Sequence, residues 1–338
     1  MKILVFGKIY PDSFAKNILV TLCAMGHDAR AVENLRGQRG RSIALVKLAN
    51  YATAFFPQLN RWSYHSLLSQ AADFHPDLVL MSGEQPPPAV IRELKQKIRT
   101  TVVQWFPDAL SNFGRQYILA ADYDAYFFKD EYIVQFMREK LGKRAYFLPQ
   151  ACNPMWHHRV DLAEKDRQKY VCDLTVAGNL YWYRALMFEA LLSYDIKIWG
   201  ADVPGWLESP VTRLCQHHYV AEEEKAKAFN AAKIVLNTMH YAEILGCNLR
   251  LFEAAGCGAF QIVDWRPNIT KFLEPETEVV TFRTREELRE KVDYYLSHDG
   301  ERKIIADRAY ARAQSEHTYE HRLKKLLDLT FEADCDDE

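Results

Sequence analysis

The sequence is poor in long apolar runs and in paired cysteines. No unbroken apolar run reaches the roughly 18 residues that a membrane-crossing helix needs, which argues against a membrane-spanning protein. The N-terminus opens directly with the strand-like stretch Lys2–Phe6 and lacks the basic region, apolar core and cleavage site of a secretory signal. Seven cysteines are present, an odd number, and none forms a CxxC pair. We therefore expect reduced thiols and a cytoplasmic protein.

An excess of charge of one sign and the common nucleotide motifs are also missing. The 43 Lys and Arg and 45 Asp and Glu residues leave a formal net charge of −2, which does not favour a nucleic-acid partner. The first strand ends in Gly7-Lys8-Ile9-Tyr10, without the GxGxxG spacing of a dinucleotide turn. No GxxxxGK(S/T) phosphate loop, GxSxG nucleophile elbow or HExxH metal motif occurs. A dehydrogenase, a nucleoside triphosphatase, a hydrolase and a metal-dependent enzyme are all disfavoured.

Apolar strand-like runs alternate with amphipathic segments along the chain, which is typical of a parallel sheet covered by helices. In the first half the pattern predicts six strands: Lys2–Gly7, Asp28–Val32, Asp77–Ser82, Thr101–Trp105, Asp124–Phe128 and Arg144–Leu148. It predicts helices at Ser13–Met25, Pro88–Lys97 and Glu131–Lys140. Gly26-His27 follows the first helix as its C-terminal stop.

A second series of the same kind starts near Cys172. Its predicted strands are Cys172–Ala177, Ile196–Trp199, Ile234–Asn237, Ala259–Val263 and Val279–Phe282. Its predicted helices are Tyr183–Ser193, Glu222–Asn230, Asn248–Ala255 and Arg285–Ser297, followed by a last helix at Tyr319–Thr330 and an acidic tail. The fold class is therefore α/β, with two similar halves.

The connection from Pro149 to Lys169 carries two prolines and many charges, and it contains no clear strand. We place the domain boundary there. The predicted organisation is a first domain at residues 1–155, a second at 156–316, and the C-terminal helix with its tail at 317–338.

The most informative stretch is Asn248–Phe260, which reads as a short helix, a glycine turn and a strand. Asn248 is a candidate N-cap, and the amides of a helix start suit a diphosphate. Arg250 could add a charge-assisted contact to phosphate, and Glu253 could accept hydrogen bonds from the two hydroxyls of a ribose. The alternative is that Arg250 and Glu253 form an ordinary surface pair and the glycines only tighten a turn. The residues alone leave both readings open.

This stretch resembles the donor-binding helix of GT-B glycosyltransferases, in particular the branch related to spore-maturation (CgeB-like) proteins. The strand ending in Asn237 is part of the same match. The resemblance implies two Rossmann-like domains facing across a cleft, with the C-terminal helix returning to the N-terminal domain. It implies that Glu253 binds the ribose and that Asn248 and Arg250 lie near the diphosphate or sugar. The chain departs from the wider family's Glu-x7-Glu signature, because position 245 is Leu.

A second match is Asp173–Arg184, a strand, a glycine turn and a helix start. The resemblance implies that this loop, with Gly178, Asn179 and Tyr181, approaches the donor phosphates and that Arg184 clamps them. The alternative is a plain strand-to-helix turn with Arg184 exposed. The resemblance also implies that Gly200 borders the nucleobase. Tyr219 matches the segment that contacts the base.

In the first half, Glu84 and Asp108 each follow the end of a predicted strand. Ligands of open α/β sheets bind outside the carboxyl ends of strands, so either carboxylate could serve as general base toward an acceptor hydroxyl. The alternative for each is a carboxylate that only caps a loop.

The predicted function is metal-independent transfer of a sugar from a nucleotide-diphosphate sugar, most simply a UDP-sugar, to a carbohydrate, glycan or other hydroxyl acceptor. The nucleotide-sugar is a co-substrate, and no separate cofactor is expected. Three alternatives stay open: a sugar-nucleotide 2-epimerase of the same fold, a non-catalytic sugar-nucleotide-binding assembly protein, and a dehydrogenase.

The segment Arg36–Trp62 differs from the rest, because it combines basic residues with large apolar ones. A peripheral membrane contact or an acceptor-facing insertion would use such a segment. An ordinary surface helix is the alternative.

Overall fold

In a computed structural model, the structure describes residues 1–33 and 55–331. The chain divides into two compact units, Met1–Pro149 with Arg322–Glu338, and Gln150–His321. The predicted boundaries at 155/156 and 316/317 lie within six residues of these. Most of Arg36–Trp62 and the acidic tail from Glu332 lie outside the described residues.

Six parallel strands form the sheet of the first unit. They are β1 Lys2–Phe6, β2 Asp28–Val32, β3 Leu78–Ser82, β4 Thr101–Phe106, β5 Ala125–Phe128 and β6 Ala145–Phe147. Their order is β2-β1-β3-β4-β5-β6. All five residues of β3 are buried, as expected of a parallel strand covered on both faces.

Helices cover both faces of this sheet. They are α1 Phe14–Ala24, α2 Pro57–Trp62, α3 His65–Phe74, α4 Pro88–Glu93, α5 Tyr117–Ala120 and α6 Glu131–Leu141, and a π-helical turn at Leu94–Ile98 extends α4. Side-chain caps set the starts of α1 and α6: the Ser13 Oγ accepts from Lys16 N–H at 3.2 Å, and Asp130 accepts from Tyr132 N–H at 2.9 Å.

Five parallel strands form the sheet of the second unit. They are β7 Cys172–Ala177, β8 Ile196–Trp199, β9 Ala232–Asn237, β10 Gln261–Asp264 and β11 Val280–Phe282, in the order β11-β10-β9-β7-β8. The helices are α7 Glu164–Tyr170, α8 Trp182–Phe188, α9 Glu223–Ala231, α10 Arg250–Gly256, α11 Arg285–Leu296 and α12 Asp299–Glu316. The fold class predicted from the sequence is confirmed.

The longest helix of the described chain, α12, was not among the predicted helices. Its buried side chains include three alanines, Ala306, Ala309 and Ala313, beside Arg302 and Ile305. Small apolar residues and a buried arginine make a weak periodic pattern, so the sequence shows little of the helix's inner face.

The last helix, α13 Tyr319–Phe331, continues into the first unit. There the Arg144 guanidinium donates to the Leu329 carbonyl at 2.6 Å. The predicted return of the C-terminal helix to the N-terminal unit is confirmed.

Among the described residues, no helix combines the length and the apolar character that crossing a bilayer requires. All six cysteines in the same part of the chain are free thiols.

Candidate functional site

The order of the second sheet places a crevice between β7 and β9. From β7 the chain moves outward to β8, and it then crosses back to β9 on the other side of β7. At such a switch point the connections leave the two strand ends in opposite directions, which opens a site at the carboxyl edge. The residues that follow Ala177 and Asn237 therefore line the candidate site.

A tight glycine turn closes β7. Gly178 has φ +130°, a conformation that L side chains rarely adopt, and its N–H donates to the Trp199 carbonyl at 2.7 Å. Gly200 packs so closely that a Cβ there would lie 2.9 Å from the Gly178 carbonyl oxygen. The Asn179 Oδ1 accepts from Ala201 N–H at 3.1 Å. These contacts join the ends of β7 and β8 into one rigid turn.

Arg184 crosses from helix α8 to the end of β9. Its Nε donates to the Thr238 Oγ1 at 3.0 Å and its Nη1 to the Asn179 carbonyl at 2.6 Å. The guanidinium lies 4.8 Å from the centre of the Tyr181 ring, and the side chain is buried. The alternative of an exposed Arg184 is therefore wrong. The Tyr181 hydroxyl donates to the Met239 carbonyl at 3.2 Å, which ties α8 to the loop after β9.

Arg250 reaches the same turn from helix α10. A Cβ added to Gly178 would overlap the Arg250 Nη2 and lie 3.2 Å from the Arg184 Nη1. Burial, together with the charge of Arg250, lowers the pKa of Arg184 to about 10, so the Arg184 guanidinium remains cationic at neutral pH. Within the described residues neither guanidinium has a carboxylate within 4 Å. Two neighbouring guanidinium groups that form no ion pair within the described residues suit an anionic ligand.

Two asparagine side chains fix the start of α10 to the end of β9. Asn237 and Asn248 exchange side-chain hydrogen bonds of 3.0 and 2.7 Å. The Asn248 Nδ2 also contacts the Thr238 carbonyl at 3.2 Å, and its Oδ1 accepts from Leu251 N–H at 3.3 Å. Asn248 thus accepts a hydrogen bond from the first turn of a helix that begins at Arg250, with Leu249 at the N-cap position. Both amides position Arg250, and their predicted contact with the diphosphate or sugar stays a prediction.

Glu253 lies one turn further along α10 and is buried. Its Oε1 accepts from the Lys225 Nζ at 2.7 Å, and the His157 Nε2 lies 3.6 Å from the same oxygen. No hydrogen bond from the described residues reaches the other oxygen, Oε2. The alternative of a surface pair between Arg250 and Glu253 is wrong, since the partner of Glu253 is Lys225. One carboxylate oxygen is held and the other is left to accept from a ligand.

Lys225 is a site residue that the sequence reasoning missed. It lies on α9 with Ala228 and Phe229, three and four residues on, and all three are buried. A single charged residue on the apolar face of an amphipathic helix was the available signal.

Asp264, at the end of β10, was missed as well. It accepts from the Tyr183 hydroxyl at 2.8 Å, from Met239 N–H at 3.3 Å and from the Arg266 Nη1 at 2.8 Å. Burial, with the hydrogen bond to Asp264, raises the pKa of Tyr183 to about 12. Asp264 therefore holds the loop after β9 against α8, where Arg184 begins its crossing.

Tyr219 lies in the connection between β8 and α9, and 46% of its surface is exposed. Its predicted contact with a base stays a prediction.

In the first unit, Glu84 and Asp108 follow neighbouring strands. Ser82 of β3 pairs in register with Trp105 of β4, and Gly83 N–H donates to the Trp105 carbonyl at 3.0 Å. Both carboxylates therefore lie at the carboxyl edge of this sheet, Glu84 half-buried and Asp108 exposed. Their predicted role as general base stays a prediction.

Comparison with known proteins connects this geometry to one group. Residues 184–328 match the family model described as "Glycosyl transferase-like". The spore protein CgeB of Bacillus subtilis is 25% identical over 274 residues, which are 75% of this chain and 82% of that protein. The resemblance read from Asn248–Phe260 is confirmed.

Solved structures share the whole fold. Sucrose-phosphate synthase of Thermosynechococcus elongatus superposes with a TM-score of 0.72 at 11% identity, covering 99% of both chains. Anabaena Alr3699/HepE, solved in complex with UDP-glucose, superposes with a TM-score of 0.66 at 14% identity, covering 97% of this chain and 99% of that one. The chain has the GT-B fold of these proteins.

Proposed function

We propose that this protein is a glycosyltransferase that transfers a sugar from a UDP-sugar to a hydroxyl acceptor without a metal ion. The observation that carries the proposal is the pair of guanidinium groups, Arg184 and Arg250, that meet against Gly178 and form no ion pair with a carboxylate of the described chain. The match of residues 184–328 to glycosyl transferase-like proteins supports the same reading. The UDP-glucose held by the Anabaena structure favours uridine as the base.

The chemistry follows from where charge develops. When the bond between the sugar and the diphosphate breaks, the leaving diphosphate gains negative charge. Fixed guanidinium groups stabilise that charge more in the transition state than in the ground state, which is how preorganised electrostatics accelerate a reaction. The two cations at the turn stabilise the leaving diphosphate, as a divalent metal ion does in other enzymes.

The remaining roles are assigned by residue. Glu253, held at one oxygen by Lys225, accepts from the ribose hydroxyls with the other oxygen. Glu84 or Asp108 accepts the proton of the acceptor hydroxyl. The acceptor is a carbohydrate, a glycan or another hydroxyl compound. We place the reaction in the cytoplasm, and cell fractionation with an antibody to the full chain tests that location.

Binding is the first test. Isothermal titration with UDP, GDP, ADP and NAD should show selective binding of UDP. Arg250→Ala should weaken UDP binding at least about tenfold, because it removes one charged hydrogen-bonding group. Arg308→Ala is the matched control, because Arg308 is an exposed arginine on α12 in the same unit. Equal weakening in both variants, or no binding of any nucleotide by folded protein, would contradict the proposal.

Turnover is the second test. Incubation with a UDP-sugar and a panel of hydroxyl acceptors should release UDP and form a glycoside, at the same rate with and without EDTA. A UDP-sugar converted to its epimer with no acceptor present would instead indicate the epimerase. Binding without any turnover would indicate the assembly protein.

A further inference from the structure

The loop that follows β9 has two aromatic side chains beside the paired arginines. They are connected to the site through Tyr181, because the Arg184 guanidinium lies 4.8 Å from the centre of the Tyr181 ring. The His240 ring centre lies 5.6 Å from that of Tyr181, and the Tyr241 ring centre lies 4.2 Å from that of His240. A continuous row of rings therefore leads from the buried cations to the surface, where Tyr241 is 69% exposed.

Backbone contacts fix the His240 imidazole and the position of its proton. The Nδ1 accepts from Ala242 N–H at 3.2 Å, so the proton of the ring is on Nε2. Glu243 N–H donates to the His240 carbonyl at 2.9 Å, which closes the turn around the ring. The side chain is half-buried, and within the described chain Nε2 has no hydrogen-bond partner. His240 therefore has a fixed N–H donor that no described residue uses.

The location of this donor fits one part of a nucleotide sugar, which contains a ribose, a diphosphate and a sugar in that order. In the proposed function Glu253 binds the ribose, and Arg184 and Arg250 bind the diphosphate. Glu253 lies one turn along α10 from Arg250. His240 is instead joined to Arg184 through the Tyr181 ring. The sugar is the part of the ligand that remains for His240.

We propose that His240 and Tyr241 bind the sugar of the UDP-sugar donor, an inference that rests on the proposed function. The His240 Nε2–H donates to an oxygen of the sugar, and the Tyr241 ring packs against the C–H groups of the pyranose. Binding sites for small molecules commonly combine aromatic walls with a few placed polar groups. Tyrosine suits such a wall, because it has an apolar ring face and a polar hydroxyl.

A purely structural role for the two rings is the alternative, and the same unit contains a matched pair for testing it. The His298 ring stacks on the Tyr294 ring with their centres 3.8 Å apart, and the His298 Nδ1 lies 2.6 Å from the Tyr294 carbonyl oxygen. His298 lies in the connection between α11 and α12, and not in the loops that follow β7 and β9. It is therefore the control for loss of a histidine that packs on a tyrosine.

The test is calorimetric titration of the full chain with UDP, UDP-glucose, UDP-galactose and UDP-N-acetylglucosamine. At least one UDP-sugar should bind wild-type protein more tightly than UDP does. His240→Asn should weaken binding of that UDP-sugar at least about fivefold and change UDP binding less than about twofold, because the shorter side chain keeps an acceptor for Ala242 N–H but loses the Nε2 donor. His240→Gln should retain most of the affinity, because its amide nitrogen can donate from nearly the same place.

Two further variants complete the comparison. Tyr241→Ala should weaken binding of the UDP-sugar about threefold or more and leave UDP binding unchanged, because it removes only the ring that packs on the sugar. His298→Asn should leave both affinities unchanged. Thermal unfolding checks that all variants are folded.

Three results would overturn this inference. The first is His240→Asn protein that binds the UDP-sugar as tightly as wild type. The second is an equal loss of UDP and UDP-sugar affinity in that variant, because His240 would then act only through the shape of the loop. The third is wild-type protein that binds every UDP-sugar no more tightly than UDP. In all three cases UDP binding by wild type leaves the proposed function standing, whereas folded protein that binds neither UDP nor a UDP-sugar would contradict both.

Discussion

In both sheets a tightly packed glycine follows the first strand, Gly7 after β1 and Gly178 after β7, but the side chains packed against the two glycines differ. In the first unit, a Cβ on Gly7 would overlap the Ser82 Oγ and lie 2.9 Å from the Ala15 Cβ. In the second, a Cβ on Gly178 would overlap the Arg250 guanidinium. Glycine is needed at both switch points because other atoms pack directly against it. At Gly7 these atoms belong to the small side chains of Ser82 and Ala15, whereas at Gly178 they belong to the guanidinium groups of Arg184 and Arg250. The shared fold therefore places the crevice, and the side chains that enter it decide whether it can bind an anion.

The buried charges of the second unit give the largest expected effect. Lys225→Met leaves the Glu253 carboxylate buried without its ammonium partner, so we expect the free energy of unfolding to fall by about 3 kcal/mol. Adding Glu253→Gln should recover at least half of the loss, because the uncompensated charge is then gone. Urea denaturation followed by fluorescence measures both. A single variant as stable as wild type would mean that the pair is not desolvated.

Alanine substitutions at Gly7 and Gly178 distinguish a glycine needed only for packing from one that is also needed for UDP binding. Gly7→Ala and Gly178→Ala should each cost about 1–3 kcal/mol, because each adds a methyl group where no space exists. Only Gly178→Ala should also weaken UDP binding, by about tenfold or more, since the new Cβ displaces Arg250. Thermal unfolding and UDP titration of both variants measure the two effects. Equal loss of UDP affinity in both would contradict the contrast between the sheets.

Each sheet contains one buried glutamine, and the two differ in their hydrogen bonds. Gln104 of β4 is fully buried, and neither atom of its amide has a hydrogen-bond partner among the described residues. Gln261 of β10 is also buried, and its Oε1 has no partner among the described residues, but its Nε2 donates to the Leu251 carbonyl at 2.9 Å. Gln104→Met should stabilise the protein by about 1 kcal/mol or more relative to Gln261→Met, because an unpaired buried amide is costly. The reverse order in urea denaturation would show that Gln104 has a partner.

The smallest expected effect concerns an ion cluster near the surface of the second unit. Burial favours the neutral acid, but hydrogen bonds from Lys169, Tyr170 and His218 outweigh it and lower the pKa of Glu224 to about 2. A depressed carboxyl pKa stabilises the folded state above the unfolded value of 4.5, and the contribution is lost as pH falls toward 2. Glu224→Gln should cost about 1 kcal/mol at pH 7, since solvent screens a partly exposed cluster.

The pH dependence supplies the check on this last variant. The stability difference between wild type and Glu224→Gln should persist at pH 5 and shrink below pH 4.5. A difference that stays constant through this range would mean that lost packing, and not lost charge, is responsible.

Local sequence patterns predicted most of the framework. Strands β2, β7 and β8 have the predicted bounds, because short apolar runs between turn residues set both ends of a parallel strand. The helix after β3 is an instructive contrast, since the predicted Pro88–Lys97 is an α-helix to Glu93 and then a π-helical turn. Hydrogen-bond register inside a helix depends on how its neighbours pack, which periodicity does not report.

The sequence motifs predicted which residues belong to the candidate site, but they did not predict which other residues these contact. Arg184 and Arg250 were each identified as phosphate ligands from their own motifs. Their meeting at Gly178 joins positions 66 residues apart, and the Lys225–Glu253 pair joins positions 28 residues apart. No motif spans such separations, because chain folding creates these contacts.

Local sequence alone sets the two α/β halves, the glycine at the end of β7 and the one arginine in each of the two motifs, since each of these depends on neighbours along the chain. The three-dimensional fold brings both guanidinium groups to one turn, where neither forms an ion pair with a carboxylate of the described residues, and it places Lys225 against one oxygen of Glu253. Charge compensation is a property of distance in space. Which charges compensate each other therefore depends on the order of the strands in the sheet, and that order cannot be read from the residue sequence alone.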